Sequence, residues 1–167
     1  MIHAEHNRAL LLITVLGGPC VKETAVLLVS DVVDEFGQVR NVIHLRPEQT
    51  KNKREHSETV CRGLKTELQR YVATFNEINP TDPFFYTQKR KGCTPNTLTQ
   101  HFFWLYKRAG VNGASSHSGR RTFITTLAAK GVSVRVLAAL AGHANISTTQ
   151  SYIDVNDDMK RQAVALL

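Results

Sequence analysis

The sequence predicts a mostly helical α+β domain with a small antiparallel sheet of about three strands. Three observations carry that expectation. Apolar residues recur at helical spacing through residues 4–16, 64–78 and 94–109, and in shorter pieces across the last third. Between them, residues 39–45 (VRNVIHL) and 58–60 (ETV) are rich in β-formers, parted by the polar, basic stretch 49–56. The chain has 167 residues, enough for one domain with a real core and not comfortably enough for two.

In chain order, residues 4–16 place Ala9, Leu10, Leu12, Ile13 and Leu16 on one broad helical face, which Gly17-Gly18-Pro19 stops. Pro19 suits the first turn of a second helix over roughly 19–29, where a missing N–H costs nothing. Phe36-Gly37 turns the chain into the strand at 39–45, and 49–56 forms an exposed basic hairpin or loop. Leu64, Leu68, Tyr71, Val72 and Phe75 return to helical spacing; residues 79–83 are a loop, after which Phe84-Phe85-Tyr86 packs inward. Thr94-Pro95 enters a helix running toward Ala109, with Gly110 as its stop. A helix from about Ser118 ends at Gly131, Ser133 caps the next, and Gly142 ends that one. Ser147 is placed to cap a helix carrying Tyr152, and a short tail helix begins at Asn156-Asp157-Asp158.

Lys and Arg number 21 against 14 Asp and Glu, a net charge of +7. Such a balance favours a polyanionic partner, because each neutralised phosphate releases condensed counterions. The plainer reading is a solvated basic surface. Cys20, Cys61 and Cys93 are odd in number and in no Cys-x-x-Cys spacing. That argues against a disulfide framework or a zinc site and fits a reducing compartment. The apolar run 9–16 follows Glu5, does not read as a signal peptide, and is too short to span a bilayer. The expectation is a soluble intracellular protein without a membrane partner.

The chemistry concentrates late in the chain. His117-Ser118-Gly119-Arg120 is followed by Gly142-His143 and then Tyr152, with successive spacings of three, twenty-three and nine residues. Three apart at a helix start, His117 and Arg120 converge near N-terminal amides that favour an anion, and a phosphate suits that point. Taken singly, His117 reads as a helix cap and Arg120 as the partner of an acid. Arg121 faces elsewhere, toward a salt bridge or a nucleic-acid backbone. His143, alone, reads as an exposed residue after a C-cap glycine, and Tyr152 as an ordinary half-buried tyrosine.

Together the pieces say more. Arg121-Thr122-Phe123, Gly131-Val132-Ser133, Leu140-Ala141-Gly142-His143 and Ile146-Ser147-Thr148-Thr149-Gln150-Ser151-Tyr152 resemble, in order and spacing, the catalytic domain of the tyrosine recombinases, the phage integrase family. The likeness is strongest from about 114 to 155. Upstream it is looser: residues 23–32 (ETAVLLVSDV) look like the family's second helix leading into its sheet, and Thr50-Lys51-Asn52-Lys53 like its β-hairpin. The resemblance implies that residues 1–167 form one such catalytic domain, with no N-terminal core-binding domain present. It also implies that the tail helix at 157–167 docks on a neighbouring subunit.

The implied activity is site-specific DNA recombination or integration by strand cleavage and rejoining. Tyr152 would attack a DNA phosphate to give a 3′-phosphotyrosyl link and a free 5′-hydroxyl. Arg120 would stabilise the non-bridging oxygens, His117 and His143 would donate or relay protons, and Lys51 would protonate the leaving oxygen, with Lys53 its rival. Lys53, Arg54 and Arg121 are candidate DNA contacts. The implied partners are double-stranded DNA and further copies on that DNA. The link conserves the bond energy, so no metal, nucleotide or other cofactor is needed. The implied setting is the cytoplasm, with the gene bacterial or carried by a phage or mobile element.

One departure matters. Cys20 stands where the family carries a further arginine, three residues before Glu23. A thiol cannot replace a guanidinium, and losing one transition-state donor costs about 3–4 kcal/mol, or a hundred- to thousandfold in rate. Lys22 points to another helix face; Arg40 and Arg46 are candidates to fill the gap. The readings are thus a recombinase impaired at Cys20 or, alternatively, a catalytically inactive integrase-derived DNA-binding or assembly module. Cys20 as a nucleophile in its own right is the weaker idea, since it lacks a phosphatase-type downstream arginine.

Overall fold

The computed structural model describes residues 2–50, 53–87, 92–153 and 157–165. Helix α1 (Ile2–Leu12) widens into a π-turn at Ile13–Gly17, closed by Gly18 N–H on the Ile13 carbonyl at 3.1 Å. Gly18 sits at φ 90°, a conformation that favours glycine, and this is the predicted stop.

The second predicted helix is instead two short ones, α2 (Val21–Ala25) and α3 (Val29–Val32). The break comes from far along the chain. Residues 80–84 lie against it, with Phe84 N–H donating to the Leu27 carbonyl (2.8 Å) and Val29 N–H to Asp82 (2.9 Å). The Asp31 carboxylate accepts from Leu28 N–H at 2.9 Å and so starts α3.

Among the described residues the sheet has two strands, not three. Strand β1 (Val42–Leu45) pairs antiparallel with β2 (His56–Thr59), Ile43 opposite Glu58 and Leu45 opposite His56. Outside that pair, Val33 and Val39 form an isolated antiparallel bridge. The Asp34 carboxylate takes the N–H groups of Phe36 and Gln38, at 2.9 and 2.8 Å, and ties the segment into a tight turn.

Helix α4 (Arg62–Val72) ends sooner than its apolar spacing suggested, because Thr74 and Phe75 N–H turn back onto Tyr71 and Val72. Helix α5 (Pro95–Arg108) begins as predicted, with Thr94 Oγ1 accepting from Thr97 N–H at 3.1 Å. Then come α6 (Ser118–Ala129), α7 (Val134–Leu140), α8 (Ile146–Gln150) and α9 (Asp157–Val164). Ser133 caps α7 as expected. Asn145, not Ser147, caps α8, its Oδ1 accepting from Ser147 N–H at 3.0 Å. Helix α8 is therefore complete before Tyr152, which lies in the turn after it.

Two apolar clusters result. The larger joins α1, the sheet, α4 and α5 around Leu10, Ile43, Leu68, Tyr71, Phe84 and Phe102. The smaller gathers Ile124, Ala128, Leu137 and Ala141, with Tyr152 and Met159 packed at its edge. Burying each such side chain contributes about 1.5–3 kcal/mol, so both clusters hold their elements firmly. Helix α6 joins the two by lying on the π-turn. An added Cβ at Gly119 would fall 2.1 Å from Thr14 Oγ1, and one at Gly18 2.6 Å from the Phe123 ring. Among the described residues no helix is long and apolar enough to cross a membrane.

Candidate active site

Arg120 is the buried centre of the site, on the first turn of α6 and 8% exposed. Its Nη1 donates to Glu23 Oε2 at 3.0 Å, and its Nη2 donates to the Ala141 carbonyl. The same Glu23 oxygen accepts from Cys20 N–H at 2.7 Å. Burial works against Glu23's charge, but the Cys20 N–H and the Arg120 guanidinium more than offset it and hold the carboxyl below its usual range. One carboxylate thus ties the start of α2 to α6. Of the two readings of Arg120, the pairing with an acid is present, and it fixes the guanidinium.

The end of α7 supplies the second wall. Gly142, at φ 59°, lets His143 N–H return to Ala138, and this turn sets the imidazole. His143 Nδ1 lies 2.8 Å from the buried Thr149 hydroxyl of α8, and its ring stacks near Tyr152, centroids 6.1 Å apart and planes 24° apart. Arg121 also packs on Tyr152, its guanidinium carbon 5.8 Å from the ring centroid. The structure therefore brings His143, Arg121 and Tyr152 together. His117, at the N-cap of α6, is exposed and makes no side-chain cap hydrogen bond.

A cleft of about 160 Å³ opens between these walls, lined by Glu23, Thr50, Arg54, His56, Gly142 and His143 among others. Lys51 lies outside the described residues. On either side of it, Thr50 Oγ1 donates to the Arg54 carbonyl (2.8 Å) and accepts from Arg54 N–H (3.1 Å), while Lys53 is exposed at φ 51°.

Cys20 is half-buried and reduced, and burial, with Glu23 beside it, pushes its thiol up to about 11. It is uncharged at neutral pH. The candidate substitutes for an arginine here are engaged elsewhere. Arg40 Nε donates to the Ser30 carbonyl (3.1 Å), Arg46 pairs with Glu48 (3.0 Å) and Asp31 (3.8 Å), and Lys22 is exposed.

Two further residues have no counterpart in the sequence expectations: His56, which lines the same cleft, and Glu58, which is buried beside it. His56 and Glu58 lie on the inward side of β2, opposite the buried Leu45 and Ile43. His56 Nε2 stands 3.5 Å from Glu58 Oε1. The Glu58 carboxylate raises the His56 imidazole above its usual range, and burial pushes the Glu58 carboxyl up to about 7. The signal that could have exposed them is the period of two: His56 and Glu58 share a strand face, and the pairing partner of that face is apolar.

A mostly helical body with a two-stranded sheet, a buried arginine set by an acid, and a tyrosine beside a histidine define the catalytic-domain fold of the tyrosine recombinases. The chain belongs to the phage integrase family, whose sequence profile matches residues 2–159. It is 30% identical over 110 residues to the tyrosine recombinase XerA of Pyrococcus horikoshii, covering 63% of this chain and 37% of that protein. It is 28% identical over 160 residues to the tyrosine recombinase XerC of Herpetosiphon aurantiacus, covering 91% of this chain and 49% of that one. The chain thus spans about a third to a half of the length of these relatives. Among solved structures, the fold matches XerA recombinase with a TM-score of 0.73 at 22% identity, over 98% of this chain and 62% of the other. It matches the Tn1549 transposon integrase in complex with a circular intermediate DNA with a TM-score of 0.74 at 20% identity, over 99% of this chain and 60% of the other.

Proposed function

We propose that this chain cleaves and rejoins a strand of double-stranded DNA in site-specific recombination, with Tyr152 as nucleophile. The observation that carries the reading is Arg120, buried and fixed by Glu23 and the Ala141 carbonyl beside a cleft that His143 lines and next to which Tyr152 stacks. Fixed donors at a site of developing charge cost no reorganisation during reaction, and this is how a guanidinium stabilises a phosphorane-like transition state. The Tyr152 hydroxyl gives up its proton to solvent, the phenolate oxygen bonds to phosphorus as the bond to the 5′-oxygen breaks, and that oxygen leaves with a proton from a general acid. By resemblance Lys51 gives that proton, while His117 and His143 serve the non-bridging oxygens. Rejoining runs the same steps backwards. Lys53, Arg54 and Arg121 contribute phosphate contacts, and further copies of the chain assemble on the same DNA.

Cys20 favours a second reading, a DNA-binding or assembly module that keeps the fold and has lost the chemistry. One assay separates the two. Wild-type, Tyr152→Phe and Cys20→Arg proteins are mixed with nicked duplexes from the DNA flanking the gene, denatured, and scored for covalent adduct. The first reading expects an adduct from the wild type that disappears with Tyr152→Phe; an equal adduct from Tyr152→Phe refutes it. An adduct from Cys20→Arg alone supports the second reading.

A further inference from the structure

The buried groups beside the cleft stop balancing in charge once Glu58, whose carboxyl burial pushes up to about 7, ionises. Glu23 and Glu58, each 5% exposed, face one buried guanidinium, Arg120. Cys20 adds nothing, since its thiol stays protonated. With both carboxylates ionised and His56 neutral, the group carries one net negative charge, which opposes entry of any anion. His56 is the group placed to correct this. It is 14% exposed in its side chain, lines the cleft, and turns Nε2 inward toward Glu58 at 3.5 Å. Its ring fits closely over Gly142, where an added Cβ would come within 3.2 Å of it. Nε2 faces Glu58 from a buried position and completes no hydrogen bond among the described residues, which leaves Nδ1 as the ring nitrogen for a ligand in the cleft. Glu58 Oε2 is buried and has no hydrogen-bond partner among the described residues, so nothing else there competes for the pair.

We propose that His56 is a phosphate-binding residue of this site. It donates through Nδ1–H to a phosphate in the cleft while Nε2–H faces Glu58, and so supplies the positive charge that the Cys20 position lacks. The inference rests on the reading above that the cleft receives a DNA phosphate. The charges facing His56 come from every element around it. Glu58 lies on β2, Arg54 and Glu55 just before it, Glu23 on α2, Arg120 on α6 and His143 after α7. Glu58 and Glu23 favour the imidazolium, and Arg120 opposes it. A phosphate in the cleft adds to the favourable side, so binding draws a proton onto His56 or holds one there.

Inorganic phosphate tests this without any strand cleavage. The histidine ring signals of the intact chain are followed by NMR across pH, with and without phosphate. The expected result is a His56 pKa raised by phosphate. His56→Gln should weaken phosphate binding by about tenfold, the worth of one charge-assisted hydrogen bond. Adding Cys20→Arg to His56→Gln should restore binding, because the guanidinium returns by another route. Phosphate that shifts His143 but leaves the His56 titration unmoved overturns the proposal, and so does a protein that takes up no phosphate at all. The wild-type titration decides the matter even where a variant folds poorly. Failure of the wider reading shows separately, as an adduct insensitive to Tyr152→Phe.

Discussion

Gly119 offers a sharp test of how α6, and with it Arg120, is seated. A methyl group there would sit 2.1 Å from Thr14 Oγ1, 2.6 Å from Thr14 Cβ and 3.1 Å from the Thr14 carbonyl carbon. None of these atoms can swing aside. Thr14 is 1% exposed, its hydroxyl is bonded to the Leu11 carbonyl at 2.8 Å, and its backbone belongs to the π-turn. If α6 rested loosely on the turn, Gly119→Ala would stabilise the helix by up to about 1 kcal/mol through propensity alone. Overpacking of a rigid contact costs about 1–3 kcal/mol, so the expected sum is a net loss of roughly 1–2 kcal/mol. Chemical denaturation reads this directly, and in a thermal melt it is a fall of about 2–8 °C for a chain of this size. The companion change Thr14→Gly removes two of the three clashing atoms. The double variant should therefore recover part of the loss, with a coupling of at least about 0.5 kcal/mol. An unchanged or higher midpoint for Gly119→Ala would refute the close seating.

Two further outcomes follow from the ionisable groups. Glu58 has its folded pKa raised from 4.5 to about 7, so its stabilising term is complete below pH 4.5 and is lost as pH climbs through about 7. At about 1.4 kcal/mol per pH unit this is roughly 3 kcal/mol, and the raised His56 acts in the same direction. Denaturation of wild type and Glu58→Gln from pH 4.5 to 8 should diverge by that order, and parallel curves would count against a buried carboxyl. Cys20, its thiol pushed up to about 11, should react with iodoacetamide at pH 8 at least about tenfold more slowly than the exposed Cys61. Mass spectrometry of the two labelled peptides gives the ratio, and equal rates would show Cys20 to be accessible and ionised.

What the sequence made legible was local. Ser133, Gly131, Gly142 and Thr94 mark helix ends through their own side chains or φ, and each stands where it was read. What it hid depends on distant partners. The break between α2 and α3 is imposed by Asp82 and Phe84, more than fifty residues away. The inward face of β2 is defined only by its register with β1, so His56 and Glu58 looked like members of a polar loop-edge run. Ser147 is a good cap by residue type and would put Tyr152 on a helix, but Asn145 takes that role two residues earlier. That His143 and Tyr152 share a site was implied only by the family resemblance, and the acid that fixes Arg120 lies 97 residues upstream and leaves no local trace.

That last separation bears on how the chain could be divided. His117, Arg120, His143 and Tyr152 all fall within thirty-six consecutive residues, so a fragment beginning in the exposed turn near Gly113 would carry every one of them. It would still lack Glu23, and Arg120 would be left with the Ala141 carbonyl and no counter-charge. A split protein should therefore regain an ordered guanidinium only when both pieces are mixed, through complementation across the α6 contact with the π-turn. The four residues lie close in sequence, but the contact that fixes Arg120 needs the whole fold.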